Sequence, residues 1–161
     1  MNQGLIEQLA NALRSRGWRL ATAESCTGGL LAAACTSLGG SSDWFERGIV
    51  SYSNAAKTEL LGVPAALIAQ HGAVSREVAL AMADGALATS RVQLALSVTG
   101  IAGPGGAAPG KPVGTVWLAV ACTGRATQAE LLQLGGDRAA VRGQTVRHAL
   151  RSLIATARSP G

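Results

Sequence analysis

The order of apolar runs and glycine-bounded turns predicts an α/β domain, a mixed sheet of about five strands with helices on its faces in a three-layer-like arrangement. Three observations carry that prediction. Helical spacings alternate with short strand-like runs through the first two thirds of the chain. Two later runs, 113–122 and 126–134, are joined by the tight turn Thr123-Gly124-Arg125, the mark of an antiparallel hairpin. The composition, 48% hydrophobic but only 3% aromatic with 21 glycines, calls for a core of Ala, Leu and Val with helices lying close on the sheet.

Taken in order, Leu5, Leu9, Ala12 and Leu13 fall at helical spacing before Gly17, and residues 18–23 read as a short strand. A tight exit follows in 23–29, then an alanine-rich helix over 30–38, ended by Gly39 and Gly40. Residues 44–52 suggest a second strand. Ser53 is placed as N-cap of a helix over 54–61, which Gly62, Val63 and Pro64 terminate. A short helix over 64–70 and a longer one opened by Ser75 and running to about Ala88 come next. Residues 92–98 form an apolar strand that runs into a glycine-rich loop, 99–112. After the hairpin, 138–157 is a basic amphipathic helix. At 161 residues, with no linker or internal repeat, the whole of 1–161 is expected to be one domain.

Bulk properties exclude several classes. Cys26, Cys35 and Cys122 are odd in number and lack a CxxC spacing, and only His71 and His148 could join them, so neither a disulfide framework nor a metal site is supported. The first residues do not read as a signal peptide, and no apolar stretch reaches membrane-spanning length, so a soluble cytoplasmic protein is expected. The net charge of +5 is spread over dispersed arginines without interleaved aromatics, which favours a small anionic ligand over nucleic acid.

Of the fourteen basic residues only Lys57 and Lys111 are lysines. A guanidinium stays charged at ordinary pH, whereas burial can turn an ammonium into a usable base, so Lys57 is the first catalytic candidate. Lys111, in a Pro-Gly-Lys-Pro loop, reads as a rim or turn residue. Three polar, glycine-rich segments, 23–29, 39–43 and 99–106, are expected to converge at one sheet edge and form a site. The helix beginning near Thr27 would offer its positive end to a phosphate or carboxylate. No segment matches a P-loop or dinucleotide fingerprint, so neither ATP nor NAD is indicated and no cofactor is expected.

Ser25, Cys26, Ser41 and Ser42 are the candidate nucleophiles. A serine paired with neutral Lys57 would perform acyl transfer or amide hydrolysis, with backbone amides near Thr99 and Gly100 stabilising the oxyanion. Cys26 is the rival, as a thiol at a helix start. Glu24 is open to three roles: an acid, an acceptor for Lys57, or the partner of a backbone amide. Tyr52 would orient Lys57 or the substrate, or simply pack. Arg138 and Arg142, four apart on one helix, would clamp a phosphate or form a solvated face.

Together these stretches resemble the C-terminal domain of the CinA (competence/damage-inducible) family. The matching segments are Thr22-Ala23-Glu24-Ser25-Cys26-Thr27-Gly28-Gly29, Gly40-Ser41-Ser42-Asp43-Trp44-Phe45 with Tyr52, Asn54 and Lys57, His71-Gly72-Ala73-Val74-Ser75, 98–106, 111–116 and Gly136-Asp137-Arg138. The resemblance implies hydrolysis of the carboxamide of nicotinamide mononucleotide, to nicotinic acid mononucleotide and ammonia, by a metal-free serine–lysine dyad. Carried onto this chain, it implies Ser42 as nucleophile, Lys57 as base and Tyr52 in support. It also implies Thr99 and Gly100 near the amide oxygen and Ser25, Thr27 and Arg142 holding the nucleotide; with Glu24, Cys26, Gly28 and Arg138 of the glycine-rich exit and the last helix, these make up the expected substrate-binding set. It also implies a homodimer or larger homo-oligomer.

Overall fold

The computed structural model describes residues 2–160. Its elements run α1 (Gln3–Arg16), β1 (Leu20–Glu24), α2 (Leu30–Thr36), a 3-10 turn (Ser41–Asp43), β2 (Phe45–Val50), α3 (Asn54–Leu61), α4 (Ala65–His71), α5 (Arg76–Ser90), β3 (Leu94–Gly100), β4 (Thr115–Cys122), β5 (Gln128–Gln133) and α6 (Arg138–Arg158). The strands form one sheet in the order β2-β1-β3-β4-β5. β1, β2 and β3 are parallel, and β3–β4 and β4–β5 are antiparallel. The mixed sheet and the predicted hairpin are therefore present.

Alternation along each strand divides the interior into two cores. One face, through Leu20, Leu94, Leu96, Val98 and Leu118, packs against α1, α2 and α6, with Leu9, Leu31 and Leu150 buried between. The other face is built from Ala23, Ala95, Ala119 and Ala121 and meets α5 through Val78, Met82 and Ala86. Alanines on the sheet let α5 lie low across it, as the aromatic-poor composition demanded. Ser97, on that same face, is buried and its hydroxyl donates to the Ala79 carbonyl of α5 at 2.7 Å. Gly85 in the middle of α5 has a packing reason: a Cβ there would collide with the Leu61 carbonyl of α3.

Local signals account for the helix ends. Ser53, Ser75 and Asp137 each accept a backbone N–H of the first turn with their side chains, capping α3, α5 and α6. Gly17 and Gly62 close α1 and α3 in the left-handed conformation. The second strand is shorter than 44–52 because Trp44 is withdrawn wholly into the core and the chain turns at Ser51 to enter α3.

The chain leaves β1 over one face, through α2, to reach β2 on its outer side, then crosses the other face, through α3–α5, to reach β3 on its inner side. In open α/β sheets, ligand crevices lie where such connections diverge, which here is outside the carboxyl ends of β1 and β3. That crevice receives the segments after β1, β2 and β3.

Candidate active site

Ser25 directly follows β1, and its backbone N–H donates to the Val98 carbonyl, which extends the β1–β3 pairing by one residue. Ser51, one residue past β2, donates its N–H to the Glu24 carbonyl and so holds the end of β2 against the end of β1. Ser53 then starts α3, and the first turn of that helix aims Lys57 back under the strand ends. The Lys57 ammonium nitrogen donates to Ser25 Oγ at 3.0 Å, to the Ser51 carbonyl at 3.1 Å and to the Tyr52 carbonyl at 3.1 Å. Lys57 is only 1% exposed. Burial pulls its pKa below the ordinary 10.5, the negative potential of the nearby Cys26 thiolate form opposing weakly.

Three acceptors surround Nζ, and the Ser25 hydroxyl itself donates to the Tyr52 carbonyl at 3.4 Å. Once the amine is neutral, its two hydrogens suffice for the Ser51 and Tyr52 carbonyls and its lone pair is left for the Ser25 hydroxyl. Ser25 is 8% exposed, so it is buried at the strand ends rather than displayed on the surface.

Gly100 closes the other side. Ile101 N–H donates to Thr115 O across the β3–β4 pair, so by alternation the Gly100 N–H faces β1. β1 ends at Glu24, which leaves that N–H directed beyond the strand end, on the side of Ser25. A side chain on Gly100 would strike Val116, so the backbone there is bare for a packing reason. Thr99 is buried, and its hydroxyl donates to the Ala73 carbonyl at 2.8 Å. It anchors the α4–α5 turn and is not turned to the crevice.

Several expectations require correction. The resemblance put Ser42 beside Lys57, but Ser42 lies in the exposed 3-10 turn ahead of β2, where its carbonyl accepts from Arg19 at 3.2 Å. β2 itself, about 20 Å of extended chain, separates that turn from the Lys57 end of the sheet. For the same reason 39–43 does not join 23–29 and 99–106: it enters a parallel strand, whereas they leave one. The signal that pairs Ser25 with Lys57 was present in the order of elements. Each follows a strand, and parallel strands bring their exits together.

Glu24 is fully buried, and its two carboxyl oxygens accept from Leu31 N–H at 2.9 Å and Ala32 N–H at 3.1 Å. It caps α2, so of its three possible roles it takes the bond to backbone amides, and the positive end of that helix is filled from within rather than free for a substrate. Thr27 is fully buried as well, and its hydroxyl has no hydrogen-bond partner. Cys26 is buried, and desolvation pushes its thiol up to about 11, which leaves it protonated at neutral pH and a poor rival to Ser25. Tyr52 touches Lys57 with its backbone carbonyl, while its ring is exposed and its hydroxyl accepts from Arg138 at 3.3 Å.

The two arginines of α6 divide their tasks. Arg142 donates to the Cys26 carbonyl at 3.1 Å and the Thr27 carbonyl at 3.2 Å, pinning the exit turn over which Gly28 passes in the left-handed conformation. Arg138 donates to the Gly103 carbonyl at 2.8 Å and reaches Tyr52 across the mouth of the crevice. Arg138 and Arg142 also line an open cavity of about 540 Å³ beside Pro104 and Val113. Among the described residues no cluster of His, Cys, Asp or Glu is placed to hold a metal ion, and no helix is long and apolar enough to cross a membrane.

A family model for the CinA C-terminal domain matches residues 2–157. Nicotinamide-nucleotide amidohydrolase PncC of Escherichia coli (strain K12) is 50% identical over 149 residues, which cover 92% of this chain and 90% of that protein. The protein of the same name from Pseudomonas putida is 53% identical over 150 residues, 93% of each chain. Among solved structures, the competence/damage inducible protein CihA from Agrobacterium tumefaciens superposes with a TM-score of 0.93 at 45% identity, covering 95% of this chain and 93% of that one. A CinA superfamily protein from Klebsiella pneumoniae does so with a TM-score of 0.93 at 38% identity, covering 98% of both. With matches of this length and identity, the chain belongs to the CinA C-terminal domain family.

Proposed function

We propose that this protein is a nicotinamide-nucleotide amidase that hydrolyses the carboxamide of nicotinamide mononucleotide, with Ser25 as nucleophile and Lys57 as its base. The observation that carries the reading is the 3.0 Å bond between buried Lys57 and Ser25 Oγ at the carboxyl ends of β1 and β2. The names of the relatives that share about half of its residues supply the substrate class.

The neutral Lys57 amine takes the Ser25 hydroxyl proton as Oγ attacks the carboxamide carbon. The carbonyl electron pair moves to the oxygen, which the Gly100 N–H faces, and the tetrahedral species forms. Lys57 then returns its proton to the amide nitrogen, the C–N bond breaks, and ammonia leaves a Ser25 ester. A water molecule, deprotonated by the same amine, attacks that ester. Its collapse releases the carboxylate product and restores the serine hydroxyl. Arg138, exposed at the mouth, is the group we assign to the nucleotide phosphate, because Arg142 is committed to two backbone carbonyls.

Ammonia release from nicotinamide mononucleotide by the purified protein tests the reading. Turnover in the wild type and its loss in Ser25→Ala are expected. A wild type that binds the nucleotide without releasing ammonia would leave a non-catalytic nucleotide-binding module. Homo-oligomerisation is a separate proposal, checked by light scattering.

A further inference from the structure

Lys111 is the second of only two lysines, and nothing in the amide-cleaving chemistry uses it. Its ammonium nitrogen donates to the His71 carbonyl at 2.9 Å, at the end of α4. Two residues further along the same turn, the Ala73 carbonyl accepts from Thr99 Oγ1 at 2.8 Å. The turn between α4 and α5 is thus held from two points, the end of β3 and the loop that returns from it to β4. Thr99 is followed directly by Gly100, whose N–H faces the Ser25 side of the crevice.

The turn is shaped to receive that amine. Gly72 lies at φ +79, and a Cβ there would come within 3.1 Å of Lys111 Nζ, so the glycine leaves room for the lysine head as well as permitting the bend. On the opposite side the same loop is fastened to α6 by Arg138 through the Gly103 carbonyl. Between these two fasteners residues 104–110 are exposed. The base of the loop is fixed at both ends, while its exposed tip is closed only on itself, by the two backbone bonds between Ala108 and Lys111.

We propose that Lys111 is a positioning residue for the amide-cleaving site: by tying the β3–β4 loop to the His71–Ser75 turn it fixes Thr99, and through Thr99 the direction of the Gly100 N–H. The inference rests on the amidase reading above. The plainer role is a basic group on the last carbonyls of α4 that only stabilises that helix. The two roles differ in what a substitution changes. A helix-end contact alters stability, whereas misplacing an oxyanion donor lowers turnover with little effect on ground-state binding.

The experiment compares wild type, Lys111→Met, Lys111→Gln and Lys111→Arg for kcat and KM of ammonia release from nicotinamide mononucleotide, with thermal midpoints measured beside them. Lys111→Met and Lys111→Gln, which is one bond too short to reach, should lose about tenfold to a hundredfold in kcat. Their KM should stay within about twofold of wild type, and Lys111→Arg should recover part of kcat. Combining Lys111→Met with Thr99→Val should cost less than the product of the two single losses, because both hold one turn.

Wild-type kcat in either Lys111→Met or Lys111→Gln overturns the proposal, as does a loss that merely follows a fall in thermal midpoint in all three variants. Either variant suffices if the other fails to fold. Absence of ammonia release from the wild type defeats the amidase reading, and this inference with it. An active wild type beside an equally active Lys111→Met defeats this inference alone.

Discussion

Lys57 Nζ and Ser25 Oγ, 32 positions apart in sequence, stand 3.0 Å from each other at the buried carboxyl ends of two adjacent parallel strands. No other serine hydroxyl hydrogen-bonds to that amine among the described residues. Ser25→Ala should therefore lower ammonia release by at least about a thousandfold, since nucleophile and base act as a unit. Lys57→Arg should do nearly as much, because a guanidinium cannot take up the proton. Ser42→Ala should stay within about twofold of wild type, as expected of an exposed group remote from the chemistry. A large loss in Ser42→Ala with full activity in Ser25→Ala would reverse the assignment.

Burial of Lys57 has a second readout in pH. Its folded pKa lies below the unfolded 10.5, so between those two values the unfolded chain binds more protons than the folded one. Stability from this group accordingly rises with pH across that window and is fully present above 10.5. Activity should climb through the same depressed pKa, as the neutral amine forms. Stability from urea titrations of wild type and Lys57→Met should depend differently on pH in the alkaline range; parallel dependences would show that the fold does not lower the Lys57 pKa.

Glu24→Gln should act on stability rather than on substrate affinity. The carboxyl group caps α2 from a fully buried position through Leu31 and Ala32 N–H, and an amide can satisfy only one of the two. A loss of about 1–3 kcal/mol in chemical denaturation is expected. KM for the nucleotide should be unchanged in whatever fraction remains folded.

Two backbone positions give stability changes of opposite sign. Arg91 ends α5 in the left-handed conformation, at φ 54 and ψ 48, where a side chain is unfavourable. Arg91→Gly should raise stability by about 0.5–1 kcal/mol. Gly85→Ala improves helix propensity by about 1 kcal/mol, yet its methyl group would meet the Leu61 carbonyl of α3. Overpacking should prevail and destabilise the protein by about 1–3 kcal/mol net, read from the denaturation midpoint.

The identity and order of the elements were legible in the residues alone, because periodicity, the caps at Ser53 and Ser75 and the Thr123-Gly124-Arg125 turn are local signals that tertiary packing left intact. The sequence also singled out Lys57, through the chemistry that separates lysine from arginine. Partner choice was a tertiary matter. Ser25 and Ser42 both sit in polar, glycine-flanked turns, and only the parallel pairing of β1 with β2 puts one at the exit edge and the other at the entry edge. The same holds for Glu24, Thr27 and Arg142: residue type suggested ligand contact, but burial and the unpaired N–H and C=O groups of the α2 entry turn claimed them first. Lys111 reads from sequence as a rim residue because its partner, a backbone carbonyl 40 positions away, carries no signal in residue type. Backbone polar groups have the same chemistry at every position, so which of them a side chain must satisfy is decided only when the chain is folded.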